Sequence, residues 1–325
     1  MVKLLIIATI SFITAAVSGL FLIPFLHKLK FGQEIREEGP SWHQKKSGTP
    51  TMGGFIFMIA LLVAVVFGIF IAGVNNDIAG LTGVFAITAA AFGFGAIGFV
   101  DDYIKVILKR NLGLRAGQKF ALQFFVALVF AVWMVCGGIV NTEVKLPFIE
   151  HYIDLTYFGY IPFIVIVMLA AVNSVNLTDG LDGLAGTVTL VVALFYCIVS
   201  YKMGSTPVSL FASALAGGIV GFLIYNCNPA KVFMGDTGSL FLGGAVAAMA
   251  IYLKNPVALL IVGFVYVAEA LSVIIQVTYF KKTGKRIFKM SPIHHHFEMC
   301  GWSEKKIVAV FSLVTMVLCV IGYMA

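Results

Sequence analysis

The chain has 325 residues, 60% of them hydrophobic and only 11% charged, with a formal net charge of +7. Soluble domains carry about 45–50% apolar and roughly 25% charged residues, so this chain lacks the charge to cover a large core in water. That excludes a soluble enzyme and leaves a protein whose surface mostly faces lipid, with no loop beyond about thirty residues to house a separate soluble domain.

The first apolar run, 3–27, is too long for a signal peptide and is stopped by Lys28 and Lys30, which predicts a retained membrane helix. Further runs near the length needed to cross a bilayer follow at 53–74, 80–100, 119–140, 160–176, 184–201, 208–225, 238–253, 257–279 and 307–324. Lipid offers no partner for an open strand edge, so each must be a helix. The expected fold class is all-α: a polytopic integral membrane protein of about ten transmembrane helices, forming a single membrane-embedded domain over 1–325. Pro24 and Pro162 are expected to bend or start their helices. The segment NTEVKLPFIEHYIDLTYFGYIP alternates and predicts a short hairpin. The five cysteines, Cys136, Cys197, Cys227, Cys300 and Cys319, form no C-x-x-C pair and read as buried small hydrophobes.

The loops 28–52, 101–119, 226–237 and 280–306 hold 5, 5, 1 and 7 Lys or Arg residues, 18 of the 22 in the chain. This bias predicts that these loops are cytoplasmic and that both termini lie outside. It also favours anionic lipids or substrates at the inner surface. There is no basic domain or recognition helix to suggest nucleic acid.

Four polar clusters fall at the inner ends of apolar helices, where charge is costly unless paired or bound. In GFVDDYIKVILKRNLGLRAGQKF, Asp101 and Asp102 are adjacent, and Lys105 shares a helical face with Asp101. A plain salt bridge is one reading; a cation or phosphate beside two repelling carboxylates is the other. Lys119 opens the next helix, to contact phosphate or simply to snorkel. In NSVNLTDGLDGLAG, Asn173, Asn176 and Asp179 are spaced by threes, and Asp182 is placed to cap the next helix. Asp179 and Asp182 could be helix caps alone, but that leaves the amides unexplained. In YNCNPAKVFMGDTGSLFLGG, Asn226 closes one span, Phe233 offers an aromatic face, and Asp236 and Thr237 are potential caps whose N–H groups could receive phosphate. In KKTGKRIFKMSPIHHHFE, five basic residues precede His294, His295 and His296, a triplet too far from either terminus to be a tag. Neutral imidazole can donate to phosphate or bind metal, and Glu298 could pair with it.

Four clusters on one face read as one site. Carboxylates without a cysteine cluster suit Mg²⁺ rather than zinc, and Mg²⁺ beside lysines suits a diphosphate. At a membrane edge, this implies phosphoryl or phosphosugar transfer between a soluble donor and a lipid.

The motifs GFVDDYIKV, NSVNLTDGLDGLAG, VFMGDTGSLFLGG, SPIHHHFE and GPSWHQKKSGTPTMGG closely resemble the polyprenyl-phosphate N-acetylhexosamine-1-phosphate transferases, and Pro292–Glu298 resembles their muramoyl-pentapeptide branch. The resemblance implies a multi-pass enzyme of the bacterial inner (cytoplasmic) membrane, its active site facing the cytoplasm. It implies transfer of phospho-MurNAc-pentapeptide from UDP-MurNAc-pentapeptide to undecaprenyl phosphate with Mg²⁺, giving lipid I and UMP in peptidoglycan synthesis. It assigns Asp236 as the main metal ligand, with Asp101 and Asp102 beside it and Asp101 deprotonating or orienting the lipid phosphate. Asn226 and Phe233 would hold uridine; Asp179, Lys105 and Lys119 would support the nucleotide and phosphates. Lys45, Thr49 and His294 or His295 would line the site, and Gln276 would join the substrate pocket. A homodimer is compatible with the resemblance. Direct attack is favoured over an aspartyl-phosphate intermediate. The rivals are a polyprenyl-phosphate GlcNAc-1-phosphate transferase and, from another class, a membrane transporter. A transporter predicts carboxylates near mid-bilayer, which only Glu269 satisfies.

Overall fold

A computed structural model describes residues 1–29, 48–108, 113–149 and 151–324. The chain is helical almost throughout: α1 (Val2–Lys28), α2 (Gly54–Ala72), α3 (Ile78–Val106), α4 (Ala116–Cys136), α5 (Thr156–Thr178), α6 (Leu184–Lys202), α7 (Thr206–Asn226), α8 (Gly235–Tyr252), a single turn α9 (Leu259–Val262), α10 (Phe264–Thr283), the short α11 (Ile293–Met299) and α12 (Glu304–Tyr323). Between α4 and α5, β1 (Glu143–Lys145) pairs antiparallel with β2 (Tyr152–Asp154), Val144 facing Ile153. This is the predicted hairpin.

Nine of the described helices are long and apolar enough to cross a membrane. The expected span 238–253 is α8, whose first turn holds Asp236, Thr237 and Ser239 and whose residues from Thr237 to Ile251 are all buried. The expected span 257–279 is interrupted at Gly263, so its long helix starts at Phe264 and runs on to Thr283. Pro24 and Pro162 lie inside their helices; α5 begins at Thr156, so Pro162 does not start it.

Burial sorts the helices into layers. Residues of α7 and α8 are mostly enclosed. By contrast, α1, α4 and α12 expose Leu20, Phe21, Phe125, Val129, Met316 and Val320. A helix that is apolar all round belongs inside or in lipid, and exposed faces like these satisfy the second condition. The same physics corrects the cysteine expectation. Only Cys319 is buried; Cys136, Cys227 and Cys300, all at helix ends, are exposed.

Small residues bring the central helices together. A side chain at Gly98 of α3 would collide with the backbone carbonyl of Asp236, and one at Gly54 of α2 with the backbone of Gly238. These approaches join the C-terminal end of α3 and the N-terminal ends of α2 and α8 at one end of the bundle.

Candidate active site

The site begins with an unmet need. The first N–H groups of a helix have no partner within it, and α8 opens with no side chain of its own capping it. Asp102, near the end of α3 and 4% exposed, supplies the anion instead. Its Oδ1 accepts from Asp236 N (3.2 Å), and its Oδ2 accepts from Thr237 N (2.9 Å) and Thr237 Oγ1 (2.7 Å). The helix dipole favours a carboxylate there. Asp236 and Thr237 therefore do not cap α8, and their N–H groups are taken by Asp102 rather than open to phosphate.

With α8 held in this way, the Asp236 carboxylate faces three other helices. Its Oδ2 accepts from Lys105 Nζ of α3 (2.8 Å) and Lys119 Nζ of α4 (2.7 Å). Its Oδ1 accepts from Asn176 Nδ2 of α5 (2.8 Å), whose Nδ2 also donates to Ser239 Oγ (2.8 Å). Asp101 pairs with Lys105 at 2.5 Å and accepts from Leu114 N at 2.8 Å. Lys119 Nζ stands 3.8 Å from Asp101 Oδ2, the oxygen that meets Lys105. Two ammonium groups thus offset three carboxylates that would otherwise repel.

Asp101, Asp102 and Asp236 can each offer an oxygen within 4.8 Å of the others. This donor set is all carboxylate, the chemistry a hard divalent cation such as Mg²⁺ takes, and it contains neither the thiolate nor the imidazole that zinc favours. The residues fit the cation that the sequence implies.

Around this cluster, the other predicted residues fall into distinct positions. Asn173 Nδ2 donates to Gln123 Oε1 (2.9 Å) and to Leu169 O (2.8 Å), one turn away from the carboxylates. Asp179 follows the last turn of α5; burial first, then the charges of Asp236, Asp102 and Asp182, hold its carboxyl well above the usual range. Asn226 stitches two loops, accepting from Gly183 N (3.1 Å) and donating to Val232 O (2.9 Å). Phe233 is half-buried, its backbone bonded to Pro50 O and Gly53 N (2.8 Å each), beside Thr49. Lys45 lies outside the described residues. Asp182 does not cap α6: Gly183 occupies that place, and Asp182 Oδ2 accepts from Ala230 N (3.0 Å) and Asn228 Nδ2 (3.2 Å) across the adjoining loop.

The histidine segment folds back along α10. Gln276 binds Ile287 N and Phe288 N through Oε1 (3.0 Å each) and Phe288 O through Nε2 (3.1 Å), so its amide anchors this return. Further on, His294 Nδ1 meets Glu269 Oε2 at 3.0 Å, both side chains fully buried. His295 Nδ1 meets Glu298 Oε2 at 2.6 Å, while His296 Nδ1 accepts from Lys289 N at 3.1 Å. The triplet thus divides among three partners. His294 packs against Gly180 in the loop after Asp179. Sequence reading missed Gln123 and Ser239. Gln123 is a polar residue inside an apolar run, and Ser239 stands one turn after Asp236; both signals were available.

Residues 84–254 match the family described as glycosyl transferase family 4. A Clostridium botulinum protein named phospho-N-acetylmuramoyl-pentapeptide-transferase is 52% identical, the match covering 97% of this chain and 94% of that protein. Proteins of the same name from Clostridium kluyveri, 49% identical with both chains fully covered, and Alkaliphilus metalliredigens, 50% identical with 97% and 96% covered, are similarly close.

Proposed function

The chain belongs to glycosyl transferase family 4, and we propose on that premise that it transfers phospho-MurNAc-pentapeptide from UDP-MurNAc-pentapeptide to undecaprenyl phosphate. The products are lipid I and UMP. The reaction is the first membrane step of peptidoglycan synthesis, run at the cytoplasmic face of a bacterial inner membrane. The near-full-length similarity to transferases of that name supports the reaction. The observation that carries the mechanism is the meeting of Lys105, Lys119 and Asn176 on the Asp236 carboxylate, beside Asp101.

Asp236, with Asp101 and Asp102, would hold Mg²⁺, which supplies charge neutralisation for the diphosphate. The other roles follow from this chain's own side chains. Lys105 and Lys119 are positioned to bind phosphate oxygens and offset the negative charge of two phosphorylated substrates. Asp101, bound to Lys105, orients the lipid phosphate and takes its proton. A lipid phosphate oxygen then bonds to the β-phosphorus of the donor. The bond from that phosphorus to the bridging oxygen breaks, and UMP leaves with the bridging oxygen and its electron pair. Asp102 serves as a brace. Both of its oxygens accept hydrogen bonds from the start of α8, which leaves it poorly placed as an in-line nucleophile and supports direct attack. Phe233 and Asn226 form the proposed uridine end, Phe233 by stacking and Asn226 by fixing the loops around it.

The test is UMP release by purified protein in detergent with undecaprenyl phosphate. UDP-MurNAc-pentapeptide and UDP-GlcNAc are offered separately, each with Mg²⁺ or chelator. Metal-dependent release with the muramoyl donor alone, lost in Asp236→Asn, is expected. Release with UDP-GlcNAc alone would assign a GlcNAc-1-phosphate transferase. No release with either donor, from folded protein, would favour a transporter.

A further inference from the structure

Among the described residues, Glu269 is the one acidic residue deep within an apolar helix that the carboxylate cluster does not use. It lies fourteen positions before the end of α10, about 21 Å along the helix axis. A buried carboxylate needs a donor, and His294 provides it: Nδ1 stands 3.0 Å from Glu269 Oε2, with His294 N 3.5 Å from the same oxygen. Both side chains are fully shielded. Among the described residues, His294 Nε2 has no hydrogen-bond partner, nor has Glu269 Oε1. Nε2 is aimed at Gly180, where a Cβ would collide with it. Gly180 follows Asp179, which lies within electrostatic reach of Asp236 and Asp102. An orphaned, buried nitrogen therefore points into the loop that borders the carboxylate cluster.

Glu269 Oε2 already faces the His294 backbone N–H, and as an acceptor there it also accepts the ring hydrogen on Nδ1. A neutral ring then has a bare Nε2, an acceptor. We infer that Glu269 is a positioning residue for the transfer: it locks His294, whose Nε2 edge packs directly on Gly180, and so fixes the Asp179–Gly180 turn that borders the carboxylate cluster. This rests on the reaction given above. Gly180 has no side chain, and that is what lets the ring seat against the turn, since a Cβ there would meet Nε2. The arrangement is the carboxylate–imidazole pairing that fixes a ring's tautomer and orientation. His295 and Glu298 form a second such pair, with the two imidazole rings 4.1 Å apart.

The experiment uses the full chain in detergent, with Glu269→Gln, Glu269→Leu, His294→Gln, the double variant Glu269→Gln/His294→Gln and Gly180→Ala. Thermal unfolding confirms that each variant is folded. Donor KM and kcat are read from UMP release, and ¹⁵N-histidine spectra report the His294 tautomer. The expected loss in kcat/KM is roughly 10- to 100-fold for Glu269→Leu, as for other residues that orient a functional imidazole, and smaller for Glu269→Gln, which keeps an acceptor. Donor KM should rise in both, and Glu269→Gln should add nothing once His294 is Gln. The wild-type spectrum should show Nδ1 protonated and Nε2 bare, with that tautomer lost in Glu269→Leu. Gly180→Ala should reproduce the KM effect with Glu269 intact. Additive losses in the double variant, or a wild-type His294 protonated on Nε2 alone, would overturn the inference. So would wild-type kinetics in folded Glu269→Leu. An inactive wild type would instead reject the reaction, and the spectrum would still report on the pair. If the Glu269 variants do not fold, the wild-type tautomer and Gly180→Ala decide.

Discussion

Two aspartates in this protein accept the same pair of donors, a threonine hydroxyl and a threonine backbone N–H, in opposite surroundings. Asp102 binds Thr237 Oγ1 and Thr237 N deep in the bundle, joining α3 to α8 across 135 positions of chain. Asp154 binds Thr142 Oγ1 (2.5 Å) and Thr156 N (2.9 Å) at the exposed end of a hairpin, over at most twelve positions. The chemistry is alike, so the difference lies in what the bonds replace. At Asp154, water is the alternative partner and little is lost when a bond breaks. At Asp102, burial removes water as the alternative, and an unmade bond leaves a buried N–H or hydroxyl bare. One carboxylate finishes a local turn; the other fixes α3 to the start of α8, where Asp101, Lys105 and Asp236 meet.

Asp102→Asn should break the comparison most strongly. The replacement amide cannot accept on both atoms, so a bond to Asp236 N or Thr237 N must go, and a donor meets a donor. The expected loss is roughly 2–3 kcal/mol of stability, read by thermal or denaturant unfolding in detergent. UMP release should fall roughly 10- to 100-fold because Asp236 is no longer held in place. Unchanged stability with intact folding would show that Asp102 is not the brace of α8. Gly98→Ala should come next. A methyl group there meets the Asp236 carbonyl, and overpacking of this kind costs about 1–3 kcal/mol. It forces α3 and α8 apart without removing any polar group. Activity loss in this variant would therefore show that helix spacing, rather than carboxylate chemistry alone, sets the site.

The same contrast explains what could be read from the sequence. Asp101 and Lys105 are four apart on one helix, and their pairing follows from helical period alone. Asn176 was legible as an amide placed wrongly for lipid, and the hairpin as alternating residues around a turn. The grouping of Lys105, Asp101 and Asp236 at one end of the bundle was also legible, because like-charged loops sort to one side. The brace was not. Asp102 reads like its neighbour, and nothing local says that its partner is Thr237 rather than a cation. Glu269 stood out as a charge in an apolar run, but its partner His294 is reached only because the chain folds back along α10 past Gln276. Asp182 misled for a related reason. Aspartate before a helix suggests a cap, yet Gly183 takes that place and the carboxylate reaches Ala230 instead. Local rules find local bonds, and much of this site is built from distant ones.

Thr237→Val and Thr142→Val sharpen the comparison by deleting the same hydroxyl on each side. In the core, the change should cost about 1 kcal/mol and leave Asp102 with one acceptor site unfilled. At the hairpin, no shift in the unfolding midpoint is expected, because water replaces the lost hydroxyl. Equal effects at the two sites would mean that burial is not what separates them.

The smallest effect concerns acid. The Thr142 hydroxyl, then the Thr156 N–H, hold the Asp154 carboxyl below its ordinary value. A depressed folded value means that the ionised form is the one bound, so its contribution is complete above the unfolded value of about 3.9. It fades as pH falls through the lower, folded value. Hydrogen exchange of the Thr156 amide should therefore show protection that is constant near neutrality and declines only in acid, after the intrinsic pH dependence of exchange is divided out. Asp154→Asn should remove that dependence, since an amide does not titrate, while UMP release at neutral pH stays as in the wild type. An acid transition that persists in Asp154→Asn would place its origin in another carboxylate. The two aspartates would then differ in more than what surrounds them.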